Sequence, residues 1–257
     1  MSIKLQNVSY SYDHEDVIKT INLEFMPGQL VSLIGPNGAG KTTLLKLISG
    51  LLKPTSGHIH IYDQLSEDIS NKDRALLISL VPQNPNLPGE MSIADFIMLG
   101  RNPHLKLLQW ESSSDFKIAQ ESIKLTEINH LVQRKISEVS GGERQRIMLA
   151  LAMTQRSPIM LLDEPTSNLD ISHQTKVMSL IKKIHAQKSN NGATILAIHD
   201  LNIAAQFSDR VILLSEGVVA VDGTPEEVLT KDNIEAIYGS EVNIIPHPEH
   251  GSPLIIS

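Results

Sequence analysis

The sequence predicts an α/β fold in which a parallel sheet is covered by helices on both faces and carries a helical insert. Three observations predict it. First, short apolar runs at residues 30–34, 159–162, 194–198 and 211–214 have the length of buried strands, and a helix-like stretch at 172–188 separates two of them. Strands that alternate with helices build parallel sheets whose central strands are apolar throughout. Second, the period changes at Lys41: Leu44, Leu45, Leu47, Ile48 and Leu51 recur at helical spacing, so strand, glycine-rich loop and helix follow one another. Third, residues 84–155 hold no convincing strand but several helical patterns, starting near Ser92 and Ser113 and after Ser140, each with an N-cap residue at hand.

The remaining elements fall into place around these. Residues 3–12 read as a strand, and the alternation Ile21, Leu23, Phe25 as another, broken by the turn pair Pro27-Gly28. A chain of 257 residues can bury one large core, and one compact unit is expected over residues 1–235, with 236–257 a short tail rich in Pro and His. No internal repeat or low-complexity linker is visible. Hydrophobic residues at 41% and charged residues at 20% are ordinary for a globular protein. The apolar runs fall far short of the roughly 20 residues a membrane-spanning helix needs. The start, Met1-Ser2-Ile3-Lys4-Leu5, has no basic segment followed by an apolar core, so a cytosolic location is expected. The absence of cysteine excludes disulfides and thiolate metal sites. A net charge of −7 offers no broad basic field, and nucleic acid is not expected as a partner.

Gly35-Pro36-Asn37-Gly38-Ala39-Gly40-Lys41-Thr42, followed by Thr43, fits G-x-x-x-x-G-K-[ST] at every fixed position, between a predicted strand and a predicted helix. That context is what distinguishes a phosphate-binding loop from a glycine-rich turn with a surface lysine. The glycines let backbone N–H groups turn around an anion at a helix N-terminus. Lys41 is suited to the β/γ-phosphates and the Thr42 hydroxyl to Mg²⁺. The run at 159–162 ends in Asp163 and Glu164, two acids whose position at the end of a buried strand is costly unless they are used. Asp163 is placed to hold the Mg²⁺ shell, and Glu164 to orient or deprotonate an attacking water.

Ser140-Gly141-Gly142-Glu143 precedes a helical run. Ser140 and Glu143 alone would make a capping box. The two glycines are poor for helix stability but leave the backbone bare to meet a phosphate, which suggests a second anion site for a partner's nucleotide.

Taken in order, the loop at 35–42, Gln83 after Val81-Pro82, Ser140 to Gln145, Asp163-Glu164, Ser167-Asn168-Leu169-Asp170 and His199 resemble the ATPases of ABC transporters. The resemblance implies a P-loop NTPase (RecA-like) core with an N-terminal antiparallel β subdomain and an inserted helical subdomain. It implies ATP and Mg²⁺ as ligands, with Asp170 among the nucleotide-binding residues, and a head-to-tail homodimer in which Ser140–Glu143 faces the nucleotide held by the opposite copy. Gln83 resembles the glutamine that senses Mg²⁺ and the transmembrane partner, and His199 the histidine that touches the γ-phosphate, although a lone strand-end His is more often structural. Tyr12 lies where the family places an aromatic that stacks on adenine. Tyr10 is close enough to compete, and either could be ordinary strand packing. Val139, Glu143 and Asn168 depart from the commonest pattern without removing a group that the chemistry needs.

Within the family, Leu99-Gly100-Arg101-Asn102-Pro103-His104, Asp170-Ile171-Ser172-His173-Gln174 and Gly223-Thr224-Pro225-Glu226-Glu227-Val228-Leu229-Thr230 resemble importers of iron chelates, haem and cobalamin, some of whose relatives carry molybdate. The implied partners are two transmembrane permease subunits and, through them, a periplasmic or extracellular substrate-binding protein, at the cytoplasmic face of the inner membrane. Importers of zinc or manganese are the alternative within the family. A soluble ABC ATPase of DNA repair or translation is disfavoured, because neither a heptad pattern nor a second phosphate loop is present. His247 and His250 read as part of a polar tail rather than as metal ligands.

Overall fold

The structure, a computed structural model, describes residues 2–167, 169–188 and 192–256. It opens with two long antiparallel strands, β1 (Ile3–Tyr12) and β2 (Glu15–Phe25). β3 (Leu30–Ile34) is buried at all five positions. α1 (Lys41–Ser49) stops at Gly50, whose left-handed φ of 74° closes the helix. The predicted helical stripe therefore ends before Leu51, which lies past the cap and is 66% exposed. β4 (Ser56–Ile61) and β5 (Gln64–Leu65) complete a four-stranded sheet of order β2-β1-β4-β5, all antiparallel.

α2 (Asn71–Leu77) leads directly into β6 (Ile78–Val81). The insert follows with α3 (Ile93–Met98), a 3₁₀ stretch at Leu99–His104, α4 (Ser113–Leu125) and α5 (Gly141–Thr154). No strand occurs among these residues, and the helices start where the serines predict. Ser92 caps α3, and Ser112 and Ser140 form capping boxes with Asp115 and Glu143. Alternation then resumes with β7 (Ile159–Asp163), α6 (Ile171–Gln187), β8 (Ala193–Ala197), α7 (Leu201–Phe207) and β9 (Arg210–Ser215). The chain ends with β10 (Val218–Gly223), α8 (Pro225–Val228), α9 (Lys231–Tyr238), β11 (Asn243–Pro246) and β12 (Pro253–Ile256). Residue 235 thus falls inside α9, and the tail beyond it pairs with itself as a hairpin.

The second sheet has the order β10-β9-β3-β8-β7-β6, parallel throughout except at β10. Its inner strands β3, β7 and β8 are buried at every position because each face is covered. Leu30, Leu162 and Leu196 point toward α5, α6 and the insert. Val31, Leu33, Leu161 and Ile195 point the other way, onto α1 and the antiparallel sheet. Residues one apart in a strand face opposite sides, so the inner strands contribute to the cores on both faces of the sheet. Among the described residues, no helix is long and apolar enough to cross a membrane.

A cavity of about 770 Å³ lies between α4, α5 and α6, walled by Leu125, Met153, Ile184 and Lys188. It shares no residue with the glycine-rich loop. Lys188 donates to the carbonyls of Ser157 and Pro158 at 2.7 and 3.4 Å, and burial pushes its ammonium down to about 7. The native form therefore loses its proton near pH 7 and the unfolded chain only near 10.5. Between these values the unfolded chain holds more protons, so this group makes stability rise with pH. In Lys188→Met that contribution is gone, and the urea midpoint is expected to depend less on pH above neutrality than in the parent. Parallel pH profiles for the two proteins would contradict the assignment.

Candidate functional site

β3 delivers the chain into the glycine-rich loop at Gly35. A side chain there would place its Cβ 2.2 Å from the Leu214 carbonyl oxygen, and φ is +146°, so only glycine fits. Gly40, at φ +98°, lies against Ile18 of β2 and precedes α1 with no side-chain cap. The first N–H groups of α1 are therefore left for an anion. Lys41 is buried and folds back over the loop, donating to the carbonyls of Gly35 and Pro36 at 2.7 and 3.0 Å. Burial lowers its pKa, while the charges of Glu164 and Asp163 act the other way. Asn37 and Gly38 are exposed at the loop tip, and Ala39, Gly40 and Thr43 are buried beneath it.

The acids sit opposite. Asp163 ends β7, and the Thr42 hydroxyl donates to its Oδ1 at 2.8 Å. Burial pushes the Asp163 carboxyl up, the Thr42 hydrogen bond opposes this, and Glu164 adds to it. The neighbouring Glu164 turns into left-handed backbone at φ 48° and donates its N–H to Ala197 at 3.0 Å. Such a conformation in a non-glycine residue is a strain that the surrounding structure must hold. Because β6 runs parallel to β7 with Val81 beside Leu162, Gln83 arrives next to Glu164 and donates to its Oε2. On the other side β8 pairs Ala197 with Asp163, which brings His199 to the same end of the sheet. His199 is exposed, and its ring makes no hydrogen bond among the described residues. Thr42, Gln83, Asp163, Glu164 and His199 are thus gathered at the carboxyl ends of parallel strands, where open α/β sheets bind ligands. The hydroxyl, carboxylate and amide oxygens of Thr42, Asp163 and Gln83 form an all-oxygen donor set, which suits Mg²⁺.

Tyr12 is 40% exposed at the end of β1, whereas Tyr10 packs against the core. Their rings meet edge to face at 4.8 Å, so Tyr10 buttresses Tyr12 and leaves it the freer face.

Ser140, Gly141, Gly142 and Glu143 stand apart from this cluster: no hydrogen bond links them to the glycine-rich loop among the described residues. The Glu143 carboxylate accepts the N–H and hydroxyl of Ser140, both at 2.8 Å, and these hydrogen bonds hold its pKa down. A side chain at Gly141 would meet open space, while Gly142 faces Leu169 and His173. Asp170 caps α6, accepting the His173 N–H at 2.9 Å, and hydrogen bonds from His173 and Ser172 bring its pKa to about 2. Asn168 lies outside the described residues. Sequence reasoning missed Asp200 and Asn202. Asp200 accepts the N–H groups of Asn202 and Ile203 at 2.9 and 3.0 Å and so starts α7 directly after His199. An Asp just before an apolar helical run was the available signal.

A mixed sheet with a phosphate loop, strand-end acids and a glycine-containing helix start defines an ATP-binding cassette, and the comparisons with known proteins agree. The family model described as ABC transporter matches residues 18–167, and the chain belongs to that family. It is 35% identical to the ferric enterobactin transport ATP-binding protein FepC of Escherichia coli K12, over 98% of this chain and 92% of that one. It is 36% identical to the petrobactin import ATP-binding protein FpuC of Bacillus anthracis, over 96% and 90%, and 36% identical to the hemin import ATP-binding protein HmuV of Gloeobacter violaceus, over 93% and 88%. Among solved structures it resembles a chain of a metal-chelate type ABC transporter in an inward-facing conformation, with a TM-score of 0.84 and 26% identity over 99% of this chain and 96% of that one. It also resembles an ATP-binding cassette solved as a dimer after hydrolysis with ADP and Pi, with a TM-score of 0.75 and 32% identity over 86% and 98%. The chain is an ABC-type ATPase.

Proposed function

We propose that this chain is the ATP-hydrolysing subunit of an importer of a metal chelate of the iron-siderophore, haem or cobalamin type, working as a homodimer beneath two permease subunits at the cytoplasmic face of the membrane. One observation carries the reading: the likeness to FepC, FpuC and HmuV runs through nearly the whole of both chains, including the C-terminal residues beyond 167 that the family model does not match.

The residues then take the following parts. Tyr12 offers a face for the adenine, and the N–H groups of residues 35–43 with Lys41 hold the β- and γ-phosphates. Thr42, Asp163 and Gln83 would hold Mg²⁺, which when bound neutralises charge on those phosphates. Glu164, oriented by Gln83, accepts hydrogen from the attacking water, and His199 meets the γ-phosphate. Ser140, Gly141 and Gly142, which meet no phosphate loop in their own chain, complete the site of the opposite copy. Closure of the dimer over two nucleotides moves the inserts and the permease with them.

The test is to isolate the chain from gently solubilised membranes and identify its companions by mass spectrometry. Recovery of a polytopic permease, and reconstituted uptake of an iron chelate, haem or cobalamin, is the expected result. A permease that moves free zinc or manganese would overturn the substrate class, and purely soluble companions would overturn the transport reading.

A further inference from the structure

The C-terminal hairpin touches the segment that carries His199. β11 and β12 pair from Asn243 with Ile256 to Pro246 with Pro253, and the Asn202 carboxamide closes on the backbone of Ile255 from both sides. Its Nδ2 donates to the Ile255 carbonyl at 3.1 Å, and its Oδ1 accepts the Ile255 N–H at 2.7 Å. A side-chain amide that answers both groups of one residue acts as an added rung on the edge of the hairpin, and it ties the first turn of α7 to β12. Apolar contacts reinforce the tie: Val242, Ile244 and Ile255 join a cluster with Ile34, Ala204 and Leu213. Tyr238, at the end of α9, places its buried hydroxyl beside the Gly35 backbone without a hydrogen bond of good geometry.

His199 therefore lies between two anchors. Before it, the Ile198 N–H donates to Leu33 at 3.0 Å. After it come the Asp200 cap and the Asn202 rung. The ring itself has no partner among the described residues, so the backbone on either side sets its place. α7 has seven residues and cannot hold its own geometry, because helices this short are unstable unless packed or pinned.

We propose that Asn202, held by the hairpin of residues 243–256, is a positioning residue for His199 in ATP hydrolysis; this rests on reading His199 as the group that meets the γ-phosphate. Releasing the pin leaves nucleotide binding intact, since the glycine-rich loop is built on β3 and α1, but lets the imidazole wander from the phosphate. Displacement by about an ångström is enough to slow a positioned reaction up to roughly a hundredfold.

The experiment compares the parent, Asn202→Ala, Asn202→Asp, His199→Ala and the double variant Asn202→Ala/His199→Ala, with hydrolysis followed over hours so that slow proteins are still read. Asn202→Ala is expected to lower kcat roughly tenfold or more while KM for ATP stays close to the parent value. Asn202→Asp keeps the acceptor for the Ile255 N–H and is expected to fall between the two; it stands in if the alanine variant does not fold. In the His199→Ala background the asparagine substitution should cost nothing further, because residues that act as a unit are not additive. Parent-like kcat in both Asn202 variants, or the same fold-loss with and without His199, would overturn the proposal. Parent-like hydrolysis by His199→Ala would instead remove the reading of His199 on which it rests.

Discussion

Glu164→Gln is expected to bind ATP as the parent does and to hydrolyse it roughly 10²- to 10⁴-fold more slowly, the range over which a positioned general base acts. The substitution is nearly isosteric and keeps an oxygen for the Gln83 amide, so the strand end and the left-handed turn at residue 164 should survive. What is lost is the capacity to take up a proton. Thr42 and Asp163 are untouched, so the phosphate and Mg²⁺ groups remain in place. Phosphate release measured alongside equilibrium nucleotide binding separates the two functions. A variant that hydrolyses ATP at the parent rate would show that Glu164 is not the base. One that no longer binds ATP would show that the acid serves the architecture of the site instead.

Arg101→Met is expected to destabilise the protein by about 3 kcal/mol, the lower end of the range for breaking a buried ion pair by removing one partner. Arg101 and Asp115 have side chains only 7% and 9% exposed. The guanidinium donates to Asp115 at 2.9 Å and to the Thr154 carbonyl at 3.0 Å, and so joins the 3₁₀ stretch at Leu99–His104 to both α4 and α5. Asp115 keeps its hydrogen bonds from Ser112, which is why the lower figure is expected. Those bonds, with the one from Arg101, bring the Asp115 carboxyl to about 2, below its ordinary 3.8. The stabilisation is thus complete above about pH 4 and is lost as pH falls toward 2, and the variant should lose less on acidification. Urea titrations followed by circular dichroism at neutral and acidic pH read both effects. Equal midpoints at neutral pH would mean that the pair contributes nothing net.

The same clasp explains part of what was legible in the sequence. The run from Leu99 to His104 carries a resemblance to one group of importers, yet its residues do local work: Gly100 would place a Cβ 2.7 Å from the Leu151 carbonyl, Arg101 pairs with Asp115, and His104 hydrogen-bonds the Gln155 carbonyl at 2.7 Å. Motifs and caps were readable because each is local, a loop or helix start whose residues serve their own neighbours. β6 was not readable, because the apolar stretch Ala75-Leu76-Leu77-Ile78 passes from helix to strand with no polar or turn residue at the junction. β4 was missed although His58-Ile59-His60-Ile61 alternates as a strand does; its place beside β1, some fifty positions earlier, is set by a pairing that no local pattern contains. The place of the C-terminal hairpin depends on Asn202, equally far away in the chain. The strand-end acids could be assigned, but their convergence with Gln83 and His199 follows from the register of three parallel strands, which no local pattern contains.

The capping box at Ser140 has a further consequence. The hydroxyl and N–H of Ser140 are already satisfied by an acid of its own helix, one whose proton affinity is depressed by that very contact. A visitor that hydrogen-bonds Ser140 itself must displace a carboxylate, and a singly charged or weakly accepting group gains little by doing so. A terminal phosphate, with more charge and three oxygens, is a better competitor. The helix start is therefore closed upon itself, and a highly charged anion opens it more readily than a weakly charged one. Replacing Glu143 by a neutral side chain would weaken that competitor for the Ser140 donors.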